Sequence, residues 1–247
     1  MGWAISPYRE AVRRLLPLVF TSVLLMACGS QRGTVTPDPD PAPVTSRISV
    51  VTNDALYSLV LSGPGNDEKR ATLAQTDRIT DVAWDGQALY AVTFGSLLRI
   101  DPATNTVSRV GAMGVDNVNA LAADAGGILY AARFGGGLYR LDKTTGRASF
   151  VMNLGRISSG DLAFGGDGTL YATVQDTPDS DLLLRVDLAA RTTTGVGRIG
   201  YGAVFGLGVQ DGTLYGLTDA GQLLTINPAT GAGTLVRALG FGFTGMQ

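Results

Sequence analysis

A tyrosine recurs in this chain inside the same apolar triplet, as "LYA" or "LYG", at Tyr90, Tyr130, Tyr171 and Tyr215, with spacings of 40, 41 and 44 residues. Behind each tyrosine come a second apolar run ("LLRI", "LYRL", "LLLRV", "LLTI") and a turn beginning Asp or Asn ("DPATN", "DKTTG", "DLAAR", "NPATG"). A more polar alternating run follows, and ahead of each tyrosine stands a short leading run such as "ITDVAWDG" or "SGDLAFGGDG". A fixed period of this length constrains the fold more than any single motif, because each unit is too small to bury its own apolar face and must stack on copies of itself.

By alternation each unit holds four short strands, lettered a to d from the leading run outward. Four antiparallel strands per repeat of about forty residues are the pattern of a β-propeller blade. A β-solenoid would have shorter coils, and a β-sandwich would show no period. Thirty-four glycines without a collagen-like period agree with many tight turns between strands. The expected fold is therefore all-β. At the c–d turns, Asp101, Asp142, Asp187 and Asn227 are expected to cap backbone N–H groups rather than to bind a ligand.

The number of blades follows from the two ends of the repeat region. The segment "RISVVTNDALYSLVLSGPGNDEKRATLAQ" tempts one to align Tyr57 with the anchor tyrosines, but its distance of 33 residues from Tyr90 does not fit. Aligned by pattern, it supplies strands b, c and d without an a strand, and the closing "FTGMQ" has the form of the missing a strand. The expectation is a five-bladed propeller of four-stranded antiparallel blades, closed by the C-terminal strand pairing into the first blade. A six-bladed ring would need a further unit.

In these repeats the chain resembles the bacterial extracytoplasmic propellers with NHL-like and YVTN-like repeats, over roughly residues 46 to 247. The resemblance implies the fold. It leaves the activity open, since such proteins include binding scaffolds, signalling ectodomains, lactonases and lyases.

Residues 1–27 are of another kind: Arg9, Arg13 and Arg14 precede the apolar run "LLPLVFTSVLLMA", in the manner of a secretory signal peptide rather than a membrane-spanning helix. The run ends "LMAC", which resembles the lipobox of bacterial lipoproteins. That resemblance implies cleavage before Cys28, a diacylglyceryl thioether on its sulfur and an acyl chain, palmitate-like, on the new amino terminus. Two or three chains suffice for stable anchoring, at roughly 0.8 kcal/mol per buried CH₂. Cys28 is the sole cysteine, so no internal disulfide can form.

Residues 28–45 carry prolines at 37, 39, 41 and 43 and read as an extended spacer between the lipidated cysteine and a propeller domain over 46–247. Gly29 is not the aspartate that retains some lipoproteins in the inner membrane, which favours the outer membrane of a cell envelope. Loss of residues 1–27 would leave 16 basic and 20 acidic side chains. With no basic run, a nucleic-acid partner is not expected.

There is no histidine anywhere, which excludes Ser-His-Asp and Cys-His nucleophiles and ordinary zinc sites. The only glutamate of the repeat region, Glu68, falls in a c–d loop, on the face opposite the one where the b–c and d–a loops meet. Equivalent positions on the a strands are Asp81, Ala120, Asp161, Gly206 and Gly245. Asp81 and Asp161 are thus expected to face a narrow, water-filled channel, compensated by a cation, an arginine or backbone amides.

Around the channel mouth the candidate ligand-binding residues are Asp81, Asp161, Asn119, Phe94, Phe134 and Tyr201, with Asn117 nearby. Aromatic faces beside carboxylates and amides suit a sugar, a cationic small molecule or a basic peptide side chain. The insertion "QDTPDSD" offers Asp176, Asp179 and Asp181 as calcium candidates, without EF-hand spacing; no other cofactor is implied. Two functions remain open: a membrane-anchored module binding a small molecule, glycan or protein at the funnel face without catalysis, or a carboxylate-dependent hydrolase or lyase acting on a glycan or lactone. The second would need Asp81 and Asp161 to converge with a third acid.

Overall fold

The computed structural model describes residues 45–247, apart from 64, 74–76, 102 and 105. Residues 1–44, on which the expected signal segment, lipidated Cys28 and spacer fall, lie outside the described residues. The described residues form twenty strands and no helix, arranged as five four-stranded antiparallel sheets. Blade 2 comprises β4 (Asp81–Trp84), β5 (Leu89–Val92), β6 (Ser96–Asp101) and β7 (Thr106–Ala112). Blade 3 comprises β8 (Val118–Ala123), β9 (Leu129–Arg133), β10 (Gly137–Leu141) and β11 (Ala148–Asn153). Blade 4 comprises β12 (Ser158–Phe164), β13 (Leu170–Thr177), β14 (Ser180–Asp187) and β15 (Thr192–Arg198). Blade 5 comprises β16 (Val204–Gln210), β17 (Thr213–Thr218), β18 (Gln222–Ile226) and β19 (Gly233–Ala238).

Blade 1 is assembled from both ends of the repeat region: β1 (Ser46–Val51), β2 (Ala55–Ser62) and β3 (Glu68–Thr72), with β20 (Gly245–Met246) as innermost strand. Val50 pairs with Met246 and Val51 with Gly245, and Ser49 exchanges both backbone hydrogen bonds with Gln247. The expected closure is therefore the observed one, and it leaves no unpaired strand edge between first and last repeat.

Burial follows the alternation read from the sequence. Strand a is almost wholly enclosed, as in β12, whereas strand d is largely exposed, as in β7 and β15. Each of the five junctions between blades has its own apolar cluster. Leu97 and Met113 of blade 2 pack with Val118, Leu121 and Leu129 of blade 3, for example. Where blade 5 meets blade 1, Leu217 and Leu223 pack against Ile48, Leu59, Phe243 and Met246. Such flat-faced blades can bury their apolar sides only against one another, so stacking and ring formation are a single event.

The c–d turns behave as their composition requires. One side-chain oxygen of Asp101, Asp142, Asp187 and Asn227 accepts hydrogen bonds from the backbone N–H groups two and three residues on. The same arrangement in four blades marks these as structural caps.

Candidate functional site

The innermost strands have no neighbour on the axis side, so their inward N–H groups need acceptors from elsewhere. Five equivalent ones belong to Val82, Leu121, Leu162, Leu207 and Met246, one from each blade. Two side chains accept all five. Asp81 takes those of Val82 (2.7 Å) and Leu121, while Asp161 takes those of Leu162 (2.6 Å), Leu207 and Met246 (3.3 Å). The two carboxyls also hydrogen-bond each other. Backbone amides, of the three compensations foreseen, are the ones the fold supplies.

Both aspartates are 0% exposed. They do not face a water-filled channel; they close it. Burial, then the neighbouring Asp161 charge, pushes the Asp81 carboxyl well above its usual range, and burial likewise raises Asp161. Backbone N–H groups from Leu207, Leu162 and Met246 act in the opposite direction on Asp161, and those of Leu121 and Val82 on Asp81, so the two carboxyls titrate as one coupled pair. Glycine is required beside them: a Cβ on Gly245 would lie 2.1 Å from an Asp81 carboxylate oxygen and 2.6 Å from its Cα.

One residue toward the b–c loops, the inner strands cease to be sealed and open into a pocket of about 340 Å³. Its floor includes Thr80, Asn119, Gly160, Phe205 and Thr244, each directly preceding an axis position. Threonine hydroxyls there serve the ring: Thr80 donates to Val118 O of the next blade (3.0 Å) and Thr244 to Ile79 O (3.1 Å). Asn119 donates its amide N–H to Ser158 O of blade 4 (3.3 Å), whereas its amide oxygen is buried without a partner.

The rim comes from b–c loops. Phe94 and Phe134 occupy the same position in successive blades, four residues after the anchor tyrosine, and each is 49% exposed. Gln175 holds that position in blade 4 and Asn53 the corresponding loop in blade 1. Asn117 adds a third amide from a d–a loop, in a left-handed conformation (φ 59°) that asparagine tolerates better than most residues. Among the described residues Arg78 is the only ionic side chain of the lining, with its Nε donating to Asn53 (3.0 Å). The pocket adjoins a recess of about 450 Å³, sharing Ser159, Gln175 and Phe205 and extending along the β13–β14 hairpin to Pro178 and Asp181.

Of the residues anticipated at the mouth, Asn119, Asn117, Phe94 and Phe134 come together there. Asp81 and Asp161 lie beneath them, enclosed. Tyr201 does not join: it is half-buried against the core between blades 4 and 5, where its loop is held by Asp181 N donating to Tyr201 O (2.8 Å). The side chains of Gln175, Phe205 and Arg78 were not anticipated. For Gln175 the signal was the repeat column that holds Phe94 and Phe134.

The insertion lengthens β13 and β14 into a tight hairpin with Pro178 and Asp179 at its tip, and it separates the three aspartates. Asp176 is clasped by Arg198 (2.6 Å) and Arg156 (3.1 Å), and the Arg198 hydrogen bond leads in holding its carboxyl below the usual range. Asp181 turns inward to Ser159 Oγ (2.5 Å) and Val204 N (2.7 Å), with burial raising its pKa. Among the described residues no group of three or more Cys, Asp or Glu is placed to hold a metal ion. Glu68 lies on the opposite face, bonded to Arg47 and Arg70.

No protein-family model matches the chain, and no curated protein matches it in sequence. Solved structures match it in shape. A chain from the nidogen/laminin complex superposes with a TM-score of 0.61 at 10% identity, over 82% of this chain and 97% of that one. An auxiliary nutrient binding protein from Bacteroides thetaiotaomicron superposes with a TM-score of 0.50 at 12% identity, over 78% of this chain but only 57% of its own length. At such identities the likeness establishes the architecture: the protein is a five-bladed β-propeller.

Proposed function

We propose that this protein is a lipid-anchored β-propeller of the bacterial cell envelope that binds a ligand at the mouth of its ring and performs no covalent chemistry on it. The observation that carries this reading is the contrast at the axis. The aspartates that an acid–base mechanism would use are enclosed and occupied by backbone N–H groups, whereas the pocket above them has exposed aromatic and amide side chains.

A hydrolase or lyase needs a carboxylate within reach of its substrate. Asp81 and Asp161 reach no solvent, Glu68 is on the other face, Asp181 is buried against Ser159, and Asp176 of the recess is clasped by Arg156 and Arg198. The geometry thus favours binding over catalysis.

The direction of β1 supports a tethered module. Asn53 lines the mouth, and β1 runs toward it from Ser46, so the chain enters the ring from the opposite face. A lipid on Cys28 with residues 29–45 as spacer would tether the ring to the membrane by the end of β1 farther from the mouth's rim loops. Gly29 favours the outer membrane.

Two measurements test the proposal. Cells expressing the full chain should incorporate an alkyne-tagged palmitate into it, and Cys28→Ala should abolish the label and release the protein from the membrane fraction; label persisting on the variant would refute the anchor. In a fragment screen read by amide chemical shifts, bound fragments should perturb Asn117, Asn119 and Gln175. Perturbations confined to other surfaces would refute the mouth as the binding site.

A further inference from the structure

We infer that the ligand at the mouth is a short oligosaccharide of neutral sugars; this rests on the reading of the mouth as a binding site and goes on to its chemistry. The argument starts from what lines the pocket. Phe94 and Phe134 present bare rings, 49% exposed, with no hydroxyl or indole N–H to bond a polar partner. They can contribute only a flat apolar face, the complement of the C–H face of a pyranose ring.

The other free groups are amides. Asn117 and Gln175 are exposed, and Asn119 has its amide oxygen buried without a partner. An amide offers both a donor and an acceptor, which matches the dual character of a sugar hydroxyl. A hydroxyl bonded to the Asn119 oxygen would relieve an orphan acceptor of the kind that native proteins rarely tolerate.

Charge narrows the choice further. The axis carboxylates lie sealed below the floor, and among the described residues Arg78 is the one charged group lining this pocket. A protonated amine would meet a like charge in the pocket, and the carboxylates of the adjoining recess are already engaged, Asp176 by Arg156 and Arg198 and Asp181 by Ser159 and Val204 N–H. A strongly anionic ligand would find a single arginine, already bonded to Asn53. A neutral hydroxylated molecule suits the remaining groups.

Size and shape favour an oligomer. The pocket, at about 340 Å³, lies at the small end of ordinary ligand sites, roughly 300–1,000 Å³. The recess that shares Ser159, Gln175 and Phe205 continues it sideways along the β13–β14 hairpin, giving a linear ligand a second seat.

The test uses the full chain in a zwitterionic detergent without a sugar headgroup. An array of neutral oligosaccharides, uronic-acid oligosaccharides and glucosamine oligomers is screened, and hits are measured by titration calorimetry. The expected result is binding within the neutral series, weakened about tenfold by Phe94→Ala and again by Phe134→Ala. The variants should melt as the parent does, since both rings are half-exposed. Gln175→Ala should weaken trisaccharides more than disaccharides.

Three results would overturn the inference: binding confined to the charged series, neutral binding unaffected by either phenylalanine variant, or no oligosaccharide binding while fragments still perturb the mouth. In the last case the mouth remains a binding site and only the sugar assignment fails. Absence of both signals would remove the broader reading as well.

Discussion

Two layers of the ring axis, one residue apart along each inner strand, have opposite characters. In the lower layer Asp81 and Asp161 take five backbone N–H groups and each other, and both are wholly enclosed. In the upper layer Asn119 keeps an orphan oxygen, and Phe94 and Phe134 stand half-exposed at the rim. The lesson is that the most reactive-looking residues of the axis are its mortar. An amide could not replace either carboxyl without loss, because its NH₂ would face an N–H donor; only a carboxyl accepts on both oxygens.

If the lower layer holds the ring together, disturbing it should change stability, whereas disturbing the upper layer should change only binding. The largest effect is expected from deleting residues 241–247, which removes β20, the Phe243 and Met246 side chains and the Met246 N–H. The cooperative thermal transition should be lost, as followed by calorimetry. An unchanged melting temperature would show that the closure contributes nothing.

Next comes Asp161→Ala, which strips the acceptor from Leu162, Leu207 and Met246 N–H at once. A destabilisation of roughly 3–5 kcal/mol is expected, a fall of about 10 °C in melting temperature for a domain of this size. A variant within a degree or two of the parent would break the contrast between the layers.

A smaller, signed effect should appear with pH. Asp81, Asp161 and Asp181 have folded-state pKa values raised above the unfolded ones, so their contribution is fully present below about pH 4 and is lost as pH rises through the folded values. Asp67 and Asp176 are lowered, by hydrogen bonds from Arg237 and Arg198, and their contribution is lost instead as pH falls through the folded values below about 4. Stability should therefore be greatest near pH 4–5 and decline toward pH 8. Denaturant titrations across that range check the sign, and a rise toward pH 8 would contradict the raised pKa values of the buried carboxyls.

The smallest change in stability is expected in the upper layer. Phe94→Ala and Phe134→Ala should move the unfolding free energy by no more than about 0.5 kcal/mol, as for exposed positions away from packed features. A loss of several kcal/mol would mean that these rings support the blades rather than a ligand.

Much of this was legible in the chain. The tyrosine spacing located the blades, and the mismatch of Tyr57 exposed the missing strand that "FTGMQ" provides. The axis column Asp81, Ala120, Asp161, Gly206, Gly245 could be aligned because small residues are demanded wherever five strands converge. Phe94 and Phe134 were visible as one column of the repeat. Tyr201 was misplaced because its loop folds back onto the core through a backbone bond to Asp181, which no repeat column records. Asp176 and Asp181, close in sequence, point to different partners for the same kind of reason.

The sequence by itself thus determined the number of blades, their strand order and the closure, because periodicity and alternation are properties of neighbouring residues along the chain. Only the tertiary structure decided what the axis carboxyls do. Asp81 and Asp161 are 80 positions apart in the chain. Their meeting depends on ring curvature, which aims one N–H from every blade at the same few ångströms of space.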